Sequence, residues 1–128
     1  MDGPACHRLV LHYDRKYAHG PAPLPAIRLR RNPTNRYEAA VKWAGMGRRA
    51  LDVGAGSGEL VRALRAAYGE WAATELSFSR AAGLKETFRD DPSVQVLRHD
   101  VERGVLPFPQ GHFDAVLLID VIEHLVDP

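Results

Sequence analysis

The stretch LDVGAGSGEL, residues 51–60, limits what this chain can fold into more than any other. An apolar run breaks at three alternating glycines, Gly54, Gly56 and Gly58, and a helical pattern starts directly after them. Glycine opens backbone dihedrals closed to other residues and lets a ligand come close to the main chain. The first turn of the helix beyond leaves its N–H groups without intrahelical acceptors and carries the positive end of the helix dipole. A strand, turn and helix holding a polar or anionic part of a nucleotide-like ligand accounts for this pattern. A tight turn with no ligand accounts for the glycines alone.

The same alternation continues along the chain. RALDVG reads as a short strand, SGELVRALRAAYG as a helix with Leu60, Val61, Leu64 and Tyr68 on one side, and Gly69 as its terminator. WAATEL is a strand, SFSRAAGLKETFRD a helix capped by Ser77 or Ser79, and VQVLRHD a third strand. After the turn-rich VERGVLPFPQGH come a fourth strand, FDAVLLID, and the start of a helix, VIEHLVDP. Short apolar strands alternating with helices predict βαβ units, parallel strands and right-handed crossovers. Upstream, TNRYEAAVKWAG predicts a helix capped by Thr34 or Asn35, with Tyr37, Ala40, Val41 and Ala44 as its apolar face. Prolines at 21, 23, 25 and 33 mark residues 1–33 as an extended arm. Residues 34–128 form the domain, with its core in 48–128.

Two nucleotide-binding readings can be compared at the glycine turn. A phosphate loop needs a lysine after its last glycine, and none follows here. A dinucleotide site wants G-x-G-x-x-G, whereas the spacing here is G-x-G-x-G with Glu59 at the helix start. Glu59 and Asp52 repel a pyrophosphate but attract a cationic or amino-acid-like group. Glu75 closes the second strand, where an acid can accept hydrogen bonds from both ribose hydroxyls. Asp100 closes the third and can accept from an exocyclic adenine amine, with the Val101 amide facing a ring nitrogen. Both acids fall outside the carboxyl ends of the strands, where open α/β sheets hold their ligands.

Bulk properties exclude little but agree with this. The 128 residues carry a net charge of +1, and Arg is interleaved with acids after about residue 50, so no long basic track argues for nucleic acid. The basic IRLRRNP cluster, Ile27 to Pro33, fits a solvent-facing or subunit-facing segment. The lone Cys6 excludes an intrachain disulfide or a multi-thiolate metal site and suits a reducing cytoplasm. The N-terminus lacks the long apolar region of a signal peptide, and the longest apolar run, AVLLI, is too short to span a bilayer.

This ordered set resembles the cofactor half of the class I S-adenosylmethionine-dependent methyltransferases. Their acidic-x-Gly-x-Gly-x-Gly motif is matched by Asp52, Val53, Gly54, Ala55, Gly56, Ser57 and Gly58. The resemblance implies S-adenosyl-L-methionine as cofactor. It puts Glu75 on the ribose, Leu76 beside the adenine, Asp100 and Val101 at the adenine edge, and Ile119 and Asp120 against the methionine end. It also implies a Rossmann-like parallel sheet of strand order 3-2-1-4, with the helix before Arg48 lying over the cofactor. The final segment is similar to one common in small-molecule methyltransferases, which makes a small molecule the expected methyl acceptor.

The tail DVIEHLVDP raises three further expectations. Asp120 can line the site, cap the following helix with Glu123 at its third position, or do both. His124, four residues on, can share a helix face with Asp120 and act as a general base. The segment is also similar to metal-dependent small-RNA 2'-O-methyltransferases, in which Asp120, Glu123 and His124 would supply metal ligands. That family has glutamate where Asp120 stands and takes a further histidine from a later segment, so this is the lesser reading. A third reading keeps the fold as a non-catalytic binding protein. Because AVLLI reads as a strand buried on both faces, the chain is expected to be an N-terminal piece of the family's larger sheet, or to have its sheet completed by a second chain.

Overall fold

The computed structural model describes residues 14–15, 27–28 and 30–126. Most of the proline-rich arm, Leu29 of its basic cluster, and the terminal Asp127 and Pro128 lie outside the described residues. The elements run α1 (Arg36–Trp43), β1 (Gly47–Val53), α2 (Glu59–Ala63), β2 (Tyr68–Glu75), α3 (Phe78–Thr87), β3 (Val94–Arg98) and β4 (Ala115–Leu117). A 3-10 turn, Ile122–His124, follows β4. The strands form one parallel sheet in the order β3-β2-β1-β4, the expected architecture.

Local chemistry explains where α1 and α3 begin. The Asn35 side chain accepts the Glu38 amide at 2.9 Å, and the Glu38 carboxylate in turn accepts the Thr34 amide and hydroxyl, each at 2.8 Å. This is a reciprocal cap one residue wider than the usual box. The buried Glu38 also pairs with Arg30 at 3.0 Å. Ser77 caps α3 through its hydroxyl.

Each face of the sheet has its own cover. Ala50, Trp71, Ala73, Val94 and Leu117 pack with Leu60, Val61 and Leu64 of the α2 region and with Leu84 and Phe88 of the α3 region. Tyr37, Ala40, Val41 and Ala44 add the apolar face of α1. Leu51, Val53 and Ala72, which point the other way, are covered by Val101, Leu106, Phe108, Phe113 and Val121 from the loops around β4. Phe108, His112 and Phe113 form a ring cluster there, with Phe108 and Phe113 edge-on at 4.8 Å between centroids. Leu51 and Leu84 are each only 1% exposed, so truncating either to alanine costs about 2–5 kcal/mol.

Three sequence expectations are corrected. The second helix stops at Ala63, and Tyr68 and Gly69 begin β2 instead of ending the helix. Tyr68 pairs with Gly47 in the sheet and donates its hydroxyl to the Ala44 carbonyl at 2.5 Å. Arg65 holds the bend by gripping Asp91 at 2.5 and 3.0 Å and the Tyr68 carbonyl at 3.1 Å. The fourth strand spans three residues instead of Phe113 to Asp120, because its partner β1 leaves the sheet at Val53 and offers no ladder beyond Asp52. Leu117 is buried in the described residues, and Val116 and Leu118 are 50% and 42% exposed there. Finally, Asp120 caps nothing. The 3-10 turn has Val121 at its N-cap position with no side-chain cap, and the Asp120 carboxylate turns to Arg36.

Candidate functional site

The carboxyl ends of β1, β2 and β3 open onto one cavity of about 420 Å³. Its lining includes Asp52, Gly54, Ala55, Gly56, Glu75, Leu76, Asp100, Val101, Ile119, Asp120 and His124. These are the positions singled out from sequence, except Gly58. Gly58 lies outside the lining and serves packing: a Cβ there would stand 2.6 Å from Phe88 Cε2 and 2.9 Å from Leu84 Cδ1. Its φ of 84° is a second reason for glycine. Gly54, at φ 71°, does line the cavity, and a Cβ there would meet Val121 Cγ2 at 2.8 Å.

The turn is held from below by the Ala55 amide donating to the Thr74 carbonyl at 2.9 Å. Glu75, only 6% exposed, is fixed by the Gly56 amide at 3.2 Å, its neighbour Leu76's amide at 3.1 Å and the Arg80 guanidinium at 3.5 Å. Burial pushes its carboxyl pKa up, and Arg80 and the two amides oppose that. Asp100 accepts the Glu102 amide at 3.1 Å and faces Arg103 at 3.8 Å.

Asp52 is the most perturbed group of the site. It is 2% exposed, and its Oδ2 has no hydrogen-bond partner among the described residues; the same is true of Glu59 Oε1. Burial, reinforced by the charges of Glu59 and Glu75, pushes the Asp52 carboxyl from an ordinary 3.8 up to about 8. Two buried acceptors without donors mark a place where a ligand's donor fits.

Sequence reasoning missed the site's cations and its aromatic ring. Arg36 and Tyr37 reach the cavity from α1, and Arg80 from α3. Arg36 pairs with Asp120 and lies 5.0 Å over the Tyr37 ring. No local pattern announces this, because the two partners are 84 residues apart. Six carboxylates (Asp52, Glu59, Glu75, Asp100, Glu102, Asp120) and two arginines line the cavity, so it is acidic on balance. Among the described residues no three His, Cys, Asp or Glu side chains gather as metal ligands, Asp120, Glu123 and His124 included. No described helix is long and apolar enough to cross a membrane.

A parallel sheet in this order, with acids at three successive strand ends around a glycine turn, defines a class I S-adenosylmethionine-dependent methyltransferase fold. The sequence profile described as a methyltransferase domain matches residues 51–128, and the chain belongs to that family. No curated protein sequence matches it. Among solved structures, YcgJ from Bacillus subtilis is similar, with a TM-score of 0.55 and 23% identity over 62% of this chain and 35% of its own. A candidate S-adenosyl-L-methionine-dependent methyltransferase from Methanococcus maripaludis gives 0.51 and 18%, over 61% of this chain and 36% of its own. The cyclase SpnF gives 0.58 and 20%, over 91% of this chain and 49% of its own. At these identities the likeness is one of fold, and the chain spans about a third of the first two proteins.

Proposed function

We propose that this chain carries the cofactor site of an enzyme that moves a methyl group from S-adenosyl-L-methionine to a small-molecule acceptor. One observation carries the reading: Asp52, Glu75 and Asp100, at the ends of three neighbouring parallel strands, line one cavity with the backbone of Gly54 to Gly56. The residues present fit this cofactor. Asp52 Oδ2 and Glu59 Oε1 lack donors, which a cationic amino-acid group supplies, and Gly54 and Gly56 carry no side chain into the cavity they line.

Bound there, the cofactor supplies a methyl group already activated on a sulfonium. The protein's work is then binding and alignment. Glu75, held by two backbone amides, would accept the ribose hydroxyls. Asp100 and the Val101 amide would hold the adenine edge, with Leu76 beside the ring. Asp52 and Glu59 draw the cationic end toward the glycine turn. Ile119, Asp120 and His124 would border the acceptor side, where His124 would take a proton from an acceptor that must lose one. The acidic lining favours a small, neutral or cationic acceptor over a polyphosphate chain.

Calorimetric titration of the full chain with S-adenosylmethionine and S-adenosylhomocysteine tests this. Saturable binding is expected, and Glu75→Ala and Asp100→Ala should each weaken it about tenfold or more. A folded wild-type chain that binds neither ligand refutes the reading.

A further inference from the structure

The Arg36–Asp120 ion pair ties α1 to the segment after β4 along the wall of the cavity, and both residues line it. Its side chains are 60% and 34% exposed, so it adds little to folding and is open to exchange. Asp120 makes this contact from φ 58°, a left-handed conformation that no other non-glycine among the described residues adopts. The cavity's other arginine, Arg80, is committed to the buried Glu75 at 3.5 Å. Arg36 is therefore the cation that can change partner. The acids Asp52, Glu59 and Glu75 cluster around the glycine turn. A ligand with an amino-acid group lays its ammonium toward those acids and needs a cation for its carboxylate.

We propose that Asp120 is an internal stand-in for the ligand's carboxylate: it holds Arg36 until the ligand arrives, and the exchange then frees Asp120 to face the acceptor. This rests on the cofactor reading above. Asp120 is in this view a positioning residue that competes with the ligand in one state and borders the acceptor in the other.

Two ligands separate the inference from its foundation. S-adenosylhomocysteine carries the amino-acid group, and 5'-methylthioadenosine keeps the nucleoside thioether but lacks both ammonium and carboxylate. Titrations use the full wild-type chain, Arg36→Gln and Asp120→Asn, with circular dichroism to confirm that each is folded. Asp120→Asn should bind S-adenosylhomocysteine about two- to fivefold tighter, because the competing exposed pair is gone. Arg36→Gln should bind it about ten- to a hundredfold more weakly, having lost a charge-assisted hydrogen bond. Neither should change its affinity for 5'-methylthioadenosine by more than about twofold. Equal shifts for both ligands, or no gain from Asp120→Asn, overturn the inference while leaving the nucleoside site standing. A wild-type chain that binds neither ligand overturns both together.

Discussion

Replacing Asp52 by Asn tests the electrostatics of the site most directly. The folded protein holds the Asp52 proton up to about pH 8, whereas the unfolded chain releases it near 3.8. A folded-state pKa raised in this way gives stability that is complete below the unfolded value and is lost as pH rises through the folded one. In that window the native state binds one proton more, so stability falls by about 1.36 kcal/mol per pH unit. Between pH 5.5 and pH 8 this amounts to at most about 3 kcal/mol, and local water entry lowers it to about 1–3 kcal/mol. Glu75, also raised by burial, acts in the same direction. Asp14, Glu38, Glu70, Asp91 and Asp114 are shifted downward, so their linkage falls at acid pH, below this window. Urea denaturation of wild type and Asp52→Asn at pH 5.5, 7 and 8.5 reads the effect, and the difference between the two proteins cancels the histidines. Wild type should lose stability relative to the variant as pH rises. Parallel curves would falsify the account of Asp52 as a buried acid held protonated by its neighbours. Binding of a cationic ligand should also release a proton near pH 7, read from calorimetry in buffers of different ionisation enthalpy.

The two ends of the glycine turn should respond differently to an added methyl group. Gly58→Ala drives a Cβ into Phe88 and Leu84 from a left-handed backbone and should lower stability by about 2–4 kcal/mol, with ligand affinity per folded molecule unchanged. Gly54→Ala meets only the Val121 side chain and should cost about 1–2 kcal/mol from its positive φ. Because Gly54 and Val121 both line the cavity, that variant should weaken ligand binding; equal binding losses in both variants would contradict the division of roles.

Much of this was legible from the sequence, for reasons that differ by element. Strands β1 and β2 announce themselves because their buried second halves are runs of mostly apolar residues that stop at a glycine or an acid, as strands inside a parallel sheet do. The edge strand β3 does so by its β-branched Val94 and Val96. The Asn35 cap and the acids at Asp52, Glu75 and Asp100 follow from residue type and position alone. What escaped depends on partners distant in the chain. Tyr68 has a helical neighbourhood but is drawn into β2 by Gly47 and Ala44. The length of β4 is set by where β1 stops. Asp120 follows a local capping pattern and is overruled by Arg36. Gly58 matches a binding motif yet answers to Phe88 and Leu84.

The brevity of β4 divides the cavity wall into halves of unequal durability. The glycine turn hangs from β1, which is hydrogen-bonded on both sides, by β2 along its length and by β4 over Ala50 to Asp52. Ile119, Asp120 and His124 hang from three residues at the edge of the sheet. Backbone amides should therefore exchange with solvent slowly beneath the glycine turn and quickly beneath Ile119 to His124. One wall of the cavity is thus held by two neighbouring strands and the other by a three-residue ladder.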